Sequence, residues 1–236
     1  MMYLPTAYVG FDCRMPDAYM VAARSIASHA SSPIAIKPLL LPHLRACRAY
    51  TRKTKIENGL MIDVISDAPM STQFAISRFL IPALEQYKGW ALFCDSDFMF
   101  RADPIELFKS LDPSKAVYCV KHRYEPNELW KMDGQIQMRY ERKNWSSLML
   151  INCEHQANRW LNYANVNKTT GRDLHGFCWL KDEEIGALDE AWNWLEGHSP
   201  IDIKPKAVHY TRGTPDMQGF EGAPYADEWL AILSEI

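Results

Sequence analysis

No stretch of this 236-residue chain approaches the ~20 consecutive apolar residues that a membrane-spanning helix requires. The first residues, MMYLPTAYVGFD, have neither the basic start nor the apolar run of a secretory signal, so a cytoplasmic protein is expected. The six cysteines (Cys13, Cys47, Cys94, Cys119, Cys153 and Cys178) form no C-x-x-C pair and have no metal-ligand spacing. Cys94, Cys119 and Cys153 fall in or beside apolar runs, where a thiol acts as a small buried hydrophobe, and reduced cysteines explain them best. Repeats and low-complexity segments are absent. Net charge is also scarce. A formal value of −3 leaves no electrostatic footprint for nucleic-acid binding.

One local exception is basic: Lys37, Arg45, Arg48, Arg52, Lys53 and Lys55 lie close together. A solvated surface helix is the favoured explanation, and a dock for an anionic acceptor or an anionic membrane surface is the alternative. What the chain does have is apolar material. At 47% hydrophobic and 23% charged it can bury the core of one good-sized α/β domain.

Apolar runs of strand length alternate with segments of helical period. Residues 6–12 (TAYVGFD) lead to Pro16 and a helix over about residues 17–30, with Met20, Ala23, Ala27 and Ala30 on one side. Residues 34–41 and 60–65 are further strand candidates. A stronger helix is expected after Ser71 or Thr72, carrying Ile76, Phe79, Leu80, Ala83, Leu84 and Tyr87 as a buried stripe and kinked by Pro82. Gly89 suits its end. Residues 91–94 are continuously apolar, as in a strand covered on both faces. Asp103 can cap a short helix that begins at Pro104, with Glu106 completing a capping box. Residues 116–120, 147–152 and 207–210 read as more strands. The pattern predicts one α/β domain over residues 1–236, with a mostly parallel, mixed sheet flanked by helices. Residues 1–120 would form a nucleotide-binding half and 121–236 an acceptor-binding half. A polar excursion covers residues 121–143, where Tyr124, Trp130 and Tyr140 suit a sugar or a covering flap.

Between these elements stands the pair Asp95 and Asp97. Carboxylates at i and i+2 just past a buried strand would lie on the same side if the extended geometry continued. They also fall where ligands bind in open α/β sheets, at the carboxyl end of a strand. A bound cation resolves their mutual repulsion, and Mg²⁺ or Mn²⁺ would share them with substrate phosphates. A bare D-x-D is as well read as two solvated loop aspartates; the apolar strand before it and the capped helix after it strengthen the functional reading. The haloacid-dehalogenase-like phosphatases also carry D-x-D after a strand, but they need Thr or Val where Met99 stands here.

In order along the chain, TAYVGFD, SRFLIPALEQYKGWALFCDSDFMFRADPIELF, SLMLIN and AVHYTRGTP resemble the blocks of glycosyltransferase family 8. This group includes glycogenin and the bacterial lipopolysaccharide galactosyl- and glucosyltransferases, and it has the GT-A nucleotide-diphospho-sugar transferase fold. The resemblance implies that Asp95, Asp97 and His209 ligate Mn²⁺ (or Mg²⁺), with Asp95 also near the ribose. It implies that Phe11 and Asp12, at the end of the first strand, hold the nucleoside. Arg78, Arg212 and Gly213 would face the diphosphate. Asp182 and Glu183, in an acidic block ahead of Trp192-Asn193, would lie near the reacting sugar, although a capped helix start explains them equally well. The family's Asn-Ser-Gly turn is replaced here by Trp145-Ser146-Ser147, with Asn144 just before it. The Lys expected after the C-terminal glycine is absent, and Arg212 is the substitute at hand.

The function implied is a metal-dependent hexosyltransferase that takes a UDP-sugar donor and a glycan or other hydroxyl acceptor, with retention. The alternatives are a sugar-1-phosphate nucleotidyltransferase, for which GFDCRMPD is a poor phosphate loop, and a non-catalytic nucleotide-sugar-binding module. The last would be favoured if Asp97 or His209 pointed away from a common point.

Overall fold

The computed structural model describes residues 4–122 and 142–236. The aromatic residues Tyr124, Trp130 and Tyr140 of the polar excursion therefore lie outside the described residues.

In chain order the elements are β1 (Thr6–Gly10), α1 (Pro16–His29), β2 (Ala35–Leu39), α2 (Leu41–Ala46), β3 (Thr54–Glu57), β4 (Leu60–Asp63), β5 (Ala68–Pro69), α3 (Ile81–Leu84), β6 (Trp90–Cys94) and β7 (Phe98–Phe100). After them come β8 (Val117–Cys119), β9 (Leu148–Asn152), α4 (Tyr163–Val166), α5 (Gly171–His175), β10 (Ile185–Ala187), β11 (Trp194–Leu195), β12 (Ala207–His209) and α6 (Ala226–Ser234). The main sheet has the order β2-β1-β6-β9-β8-β10. Only β9 runs against its neighbours, pairing antiparallel with both β6 and β8. This is the mixed, mostly parallel sheet that the alternation of elements predicts.

Both faces of that sheet are covered, which is why its strands read as unbroken apolar runs. Side chains alternate with period two. Tyr8, Phe93, Met149 and Ile151 enter one core with Phe79, Leu80 and Ile81. Ala7, Val9, Leu92, Leu148 and Leu150 enter the other with Ala22 and Ile26 of α1. The helix α1 buries Ala18, Val21, Ala22, Ser25 and Ile26. Its core face is thus rotated away from the Met20–Ala27 side of the sequence reading, because Val21 and Ile26 have more apolar surface to remove from water than alanines do.

Residues 71–87 depart further from expectation. Instead of one kinked helix, they form a turn, a 3₁₀ segment at Ser77–Leu80 and the single turn α3. Ile76, Phe79, Leu80 and Ala83 are nevertheless buried, so the periodicity identified the face but overstated the helix. Phe74 from this segment lies over the end of β1, where a Cβ on Gly10 would come within 2.5 Å of its ring. After β7, Asp103 caps as predicted, accepting from Ile105 N at 3.0 Å, but the element is a 3₁₀ turn, Pro104–Phe108. The Glu106 carboxylate accepts from Lys206 Nζ at 2.8 Å rather than closing a capping box.

The basic stretch is not a surface helix either. Lys37 lies in β2 and pairs with Glu85, Lys55 lies in β3 and pairs with Glu57, and Arg52 is buried against Asp63. The cations are thus divided among β2, α2, β3 and the chain between α2 and β3. Among the described residues no helix is long and apolar enough to cross a membrane. The six cysteines are all free, with Cys94, Cys119 and Cys153 buried.

Candidate active site

The strand β6 ends at Cys94, and the chain then turns through Asp95-Ser96-Asp97 into β7. The two carboxylates meet through this turn rather than by continued extension of the strand. The strand β7 pairs antiparallel with β12, and the register sets Phe98 opposite His209. Tyr210 N donates to Asp97 O at 2.9 Å, locking the two segments together. In this way a histidine from near the end of the chain arrives beside an acidic pair from its middle.

One side-chain ligand atom from each of Asp95, Asp97 and His209 lies within 4.8 Å of the others. His209 Nε2 is 3.3 Å from Asp97 Oδ1. Adjacent oxygen or nitrogen ligands about 2.1 Å from a shared ion would stand roughly 3 Å apart, so this edge of the triad is already close to coordination spacing. The Oδ1 atoms of both aspartates are buried and accept no well-directed hydrogen bond. Asp95 Oδ1 has the Arg78 guanidinium beside it, but Asp97 Oδ1 is left without a donor, and two carboxylates facing an imidazole make a donor set that fits a divalent cation. Burial pushes the Asp95 carboxyl up to about 6, against the pull of Arg78 and with the Asp97 charge adding to the rise.

Arg78 does not reach outward. Its Nη1 lies 2.6 Å from Asp95 Oδ1 and donates to Ser146 O at 2.8 Å, while Nε donates to Ala75 O at 3.0 Å. The guanidinium sits over the rings of Phe93 and Phe74, at 4.7 and 5.4 Å from their centroids. It is a buried counter-charge to Asp95.

Asp12 is fully buried. Its oxygens accept from Arg14 N, Nε and Nη2 and from Gln73 N, tying the loop after β1 to residues 71–74. Burial alone would raise this carboxyl, but the Arg14 and Gln73 bonds outweigh it and hold it below the ordinary range. Phe11 packs edge-on against Tyr19 at 5.3 Å. Arg212 is half exposed, with Nη1 3.6 Å from Glu196 Oε1. Gly213 leaves room for Phe220: a Cβ there would approach the Phe220 ring to 2.7 Å. Asp182 and Glu183 open a 3₁₀ turn, Asp182–Glu184, ahead of β10. Asp182 is exposed and ion-paired with Arg142, and Glu183 O accepts from Lys115 Nζ at 2.7 Å. The structure therefore brings Asp95, Asp97, His209 and Arg78 together. Asp12, Arg212, Gly213, Asp182 and Glu183 all have partners outside that group.

The sequence reading located the turn at Trp145–Ser147 but not its bonds to Asp95 and Arg78. Residues Trp145–Ser147 form a 3₁₀ segment after Asn144, whose φ is 64°. Ser147 O accepts from Asp95 N at 2.9 Å, and Ser146 O accepts from Arg78. Asn193 was also missed: its Oδ1 is 2.9 Å from His209 Nδ1 and its Nδ2 is 2.9 Å from Ser147 Oγ. The Trp192-Asn193 pair was visible in the sequence, but nothing local ties it to a histidine sixteen residues on.

Solved structures share this arrangement of strands. The bifunctional glycosyltransferase WbbM superposes with a TM-score of 0.66 at 16% identity, over 98% of this chain and half (50%) of that one. The galactosyltransferase LgtC, in complex with donor and acceptor sugar analogues, gives 0.60 at 15% identity, over 98% of this chain and 96% of that one. GlyE of Streptococcus pneumoniae gives 0.60 at 17% identity, over 99% of this chain and 63% of that one. The fold is that of the GT-A nucleotide-diphospho-sugar transferases, as the family-8 resemblance implied. No protein-family model matches the chain. By sequence it belongs to the family of Protein CDI of Arabidopsis thaliana, with 44% identity over 233 residues, 97% of this chain and 85% of that protein.

Proposed function

We propose that the protein is a metal-dependent glycosyltransferase that moves a hexose from a UDP-sugar to an acceptor hydroxyl, with retention at the anomeric carbon. The observation that carries this reading is the convergence of Asp95, Asp97 and His209 at the carboxyl end of β6, with Asp97 Oδ1 buried and without a hydrogen-bond donor. The condition that would favour a mere binding module, divergence of these side chains, is not met.

An imidazole in the ligand set suits Mn²⁺ better than Mg²⁺. Asp95, Asp97 and His209 would hold the ion, which would supply Lewis-acid stabilisation of the charge developing on the leaving group. The chain's own residues would do the rest. Phe11, which packs on Tyr19 beside the loop that Asp12 braces, would contact the base. Arg212, next to Gly213, is the nearest replacement for the missing phosphate-binding lysine. Asp182 and Glu183 would approach the reacting sugar, a role supported by the Arg142–Asp182 pair, which ties their turn to the one before β9.

The test is UDP release from UDP-glucose and UDP-galactose with and without Mn²⁺, with the anomeric configuration of any product read by NMR. Metal-dependent release that Asp97→Asn abolishes is expected. Release that ignores both metal and substitution would contradict the proposal.

A further inference from the structure

The side chain of Asn193 is fully buried between His209 and the turn before β9. Three groups stand in line there: Ser147 Oγ is 2.7 Å from Asn144 O, Asn193 Nδ2 is 2.9 Å from Ser147 Oγ, and Asn193 Oδ1 is 2.9 Å from His209 Nδ1. The polarity of this line follows from its far end. Asn144 O is a backbone carbonyl and can only accept, so the Ser147 hydroxyl donates its one proton to it. The Ser147 oxygen then accepts, which turns the NH₂ of the Asn193 carboxamide toward it. The carboxamide oxygen is left facing His209, and Nδ1 must carry the imidazole proton. Turned over, the carboxamide would set its oxygen against the Asn144 carbonyl, which Nδ2 approaches to 3.5 Å.

We propose that Asn193 is a positioning residue that, with Ser147, dictates the His209 tautomer and leaves the Nε2 lone pair aimed at the Asp97 side of the triad. The inference rests on the metal-site reading above and goes beyond it, since it makes a main-chain carbonyl in the turn before β9 the origin of ligand polarity. Stacking on Phe98, with centroids 4.3 Å apart and planes 21° apart, fixes the ring plane but not the position of its proton. The polar line places that proton on Nδ1, against the pull of Asp97 Oδ1, which lies 3.3 Å from Nε2. Such outer partners are worth about 10–100-fold in metal affinity.

The experiment has two readouts. In metal-free protein, ¹⁵N NMR of the histidine rings reports the tautomer, with the His209 signals identified by their loss in His209→Gln. Mn²⁺ binding is measured in parallel by electron paramagnetic resonance. The wild type should show the Nδ1–H form. Asn193→Leu should give mixed tautomers and about 10–100-fold weaker Mn²⁺ binding. Asn193→Asp still offers Nδ1 an acceptor, because the Ser147 hydroxyl can turn to donate to the new carboxylate; it should keep the tautomer and most of the affinity. Ser147→Ala should fall between the two.

An Nε2–H form in the metal-free wild type overturns the proposal, as does wild-type tautomer and affinity in a folded Asn193→Leu. If that variant does not fold, the wild-type spectrum and the Asn193→Asp and Ser147→Ala pair decide. A wild type that has the Nδ1–H form but binds no Mn²⁺ would sink the metal-site reading and leave the relay standing.

Discussion

Arg78 Nη1 lies 2.6 Å from Asp95 Oδ1, and the two side chains retain only 5% and 18% of their exposure. A charge pair so far from water gains little by existing, but removing one partner strands the other. Arg78→Met should therefore destabilise the protein by about 3–5 kcal/mol in urea unfolding. Arg78→Lys should recover little, because one ammonium cannot reach Asp95, Ser146 O and Ala75 O together. A loss under about 1 kcal/mol, the range of surface ion pairs, would contradict the assignment of Arg78 as a buried counter-charge.

The second buried pair predicts a pH dependence. Arg52 holds Asp63, with Nε to Oδ1 at 2.9 Å, and also donates to Val166 O at 2.9 Å, so the β3–β4–β5 meander is clasped to the end of α4. Burial would raise the Asp63 carboxyl, yet Arg52 and Ser66 outweigh it and bring the group below its usual value. A carboxyl depressed in the folded state stabilises the fold above its unfolded value, near 3.9, and that contribution is lost as pH falls through the folded value. Stability should drop in acid below about pH 4. Asp63→Asn should be less stable at pH 7 and should show a shallower acid slope. Equal slopes in chemical denaturation between pH 2 and 6 would count against this account.

Much of the frame was legible because strands buried on both faces need unbroken apolar runs, and β1, β6 and β9 have them. The acidic pair was legible because it follows such a run. Legibility failed where the cause was non-local. Residues 71–87 have a helical period, but they fold as a turn, a 3₁₀ segment and the single turn α3, with Phe74 over the end of β1 and Arg78 turned inward to Asp95. The basic residues 37–55 look like one face in sequence, yet they are divided among β2, α2 and β3, and Asp63 of β4 draws Arg52 into the interior. The role of Asn193 depends on the β11–β12 pairing, which no local pattern encodes.

Gly213 offers a third test. The side on which a Cβ would sit is filled by Phe220. Gly213→Ala should cost about 1–3 kcal/mol through overpacking. Phe220→Ala in the same chain should recover part of that loss, giving a coupling of at least about 0.5 kcal/mol in a double-mutant cycle. Additive losses would mean that Phe220 does not press on this glycine.

The central claim is that Asp95, Asp97 and His209 hold a divalent ion on a nucleoside diphosphate. Thermal unfolding with UDP, with and without Mn²⁺, in the wild type and in Asp97→Asn, tests it most directly. At ligand about 100 times its Kd the wild type should gain about 2.7 kcal/mol, only when UDP and Mn²⁺ are both present. Asp97→Asn, which keeps the shape of the side chain but removes its charge, should lose that gain. UDP stabilisation that needs no metal and survives Asp97→Asn would contradict the account.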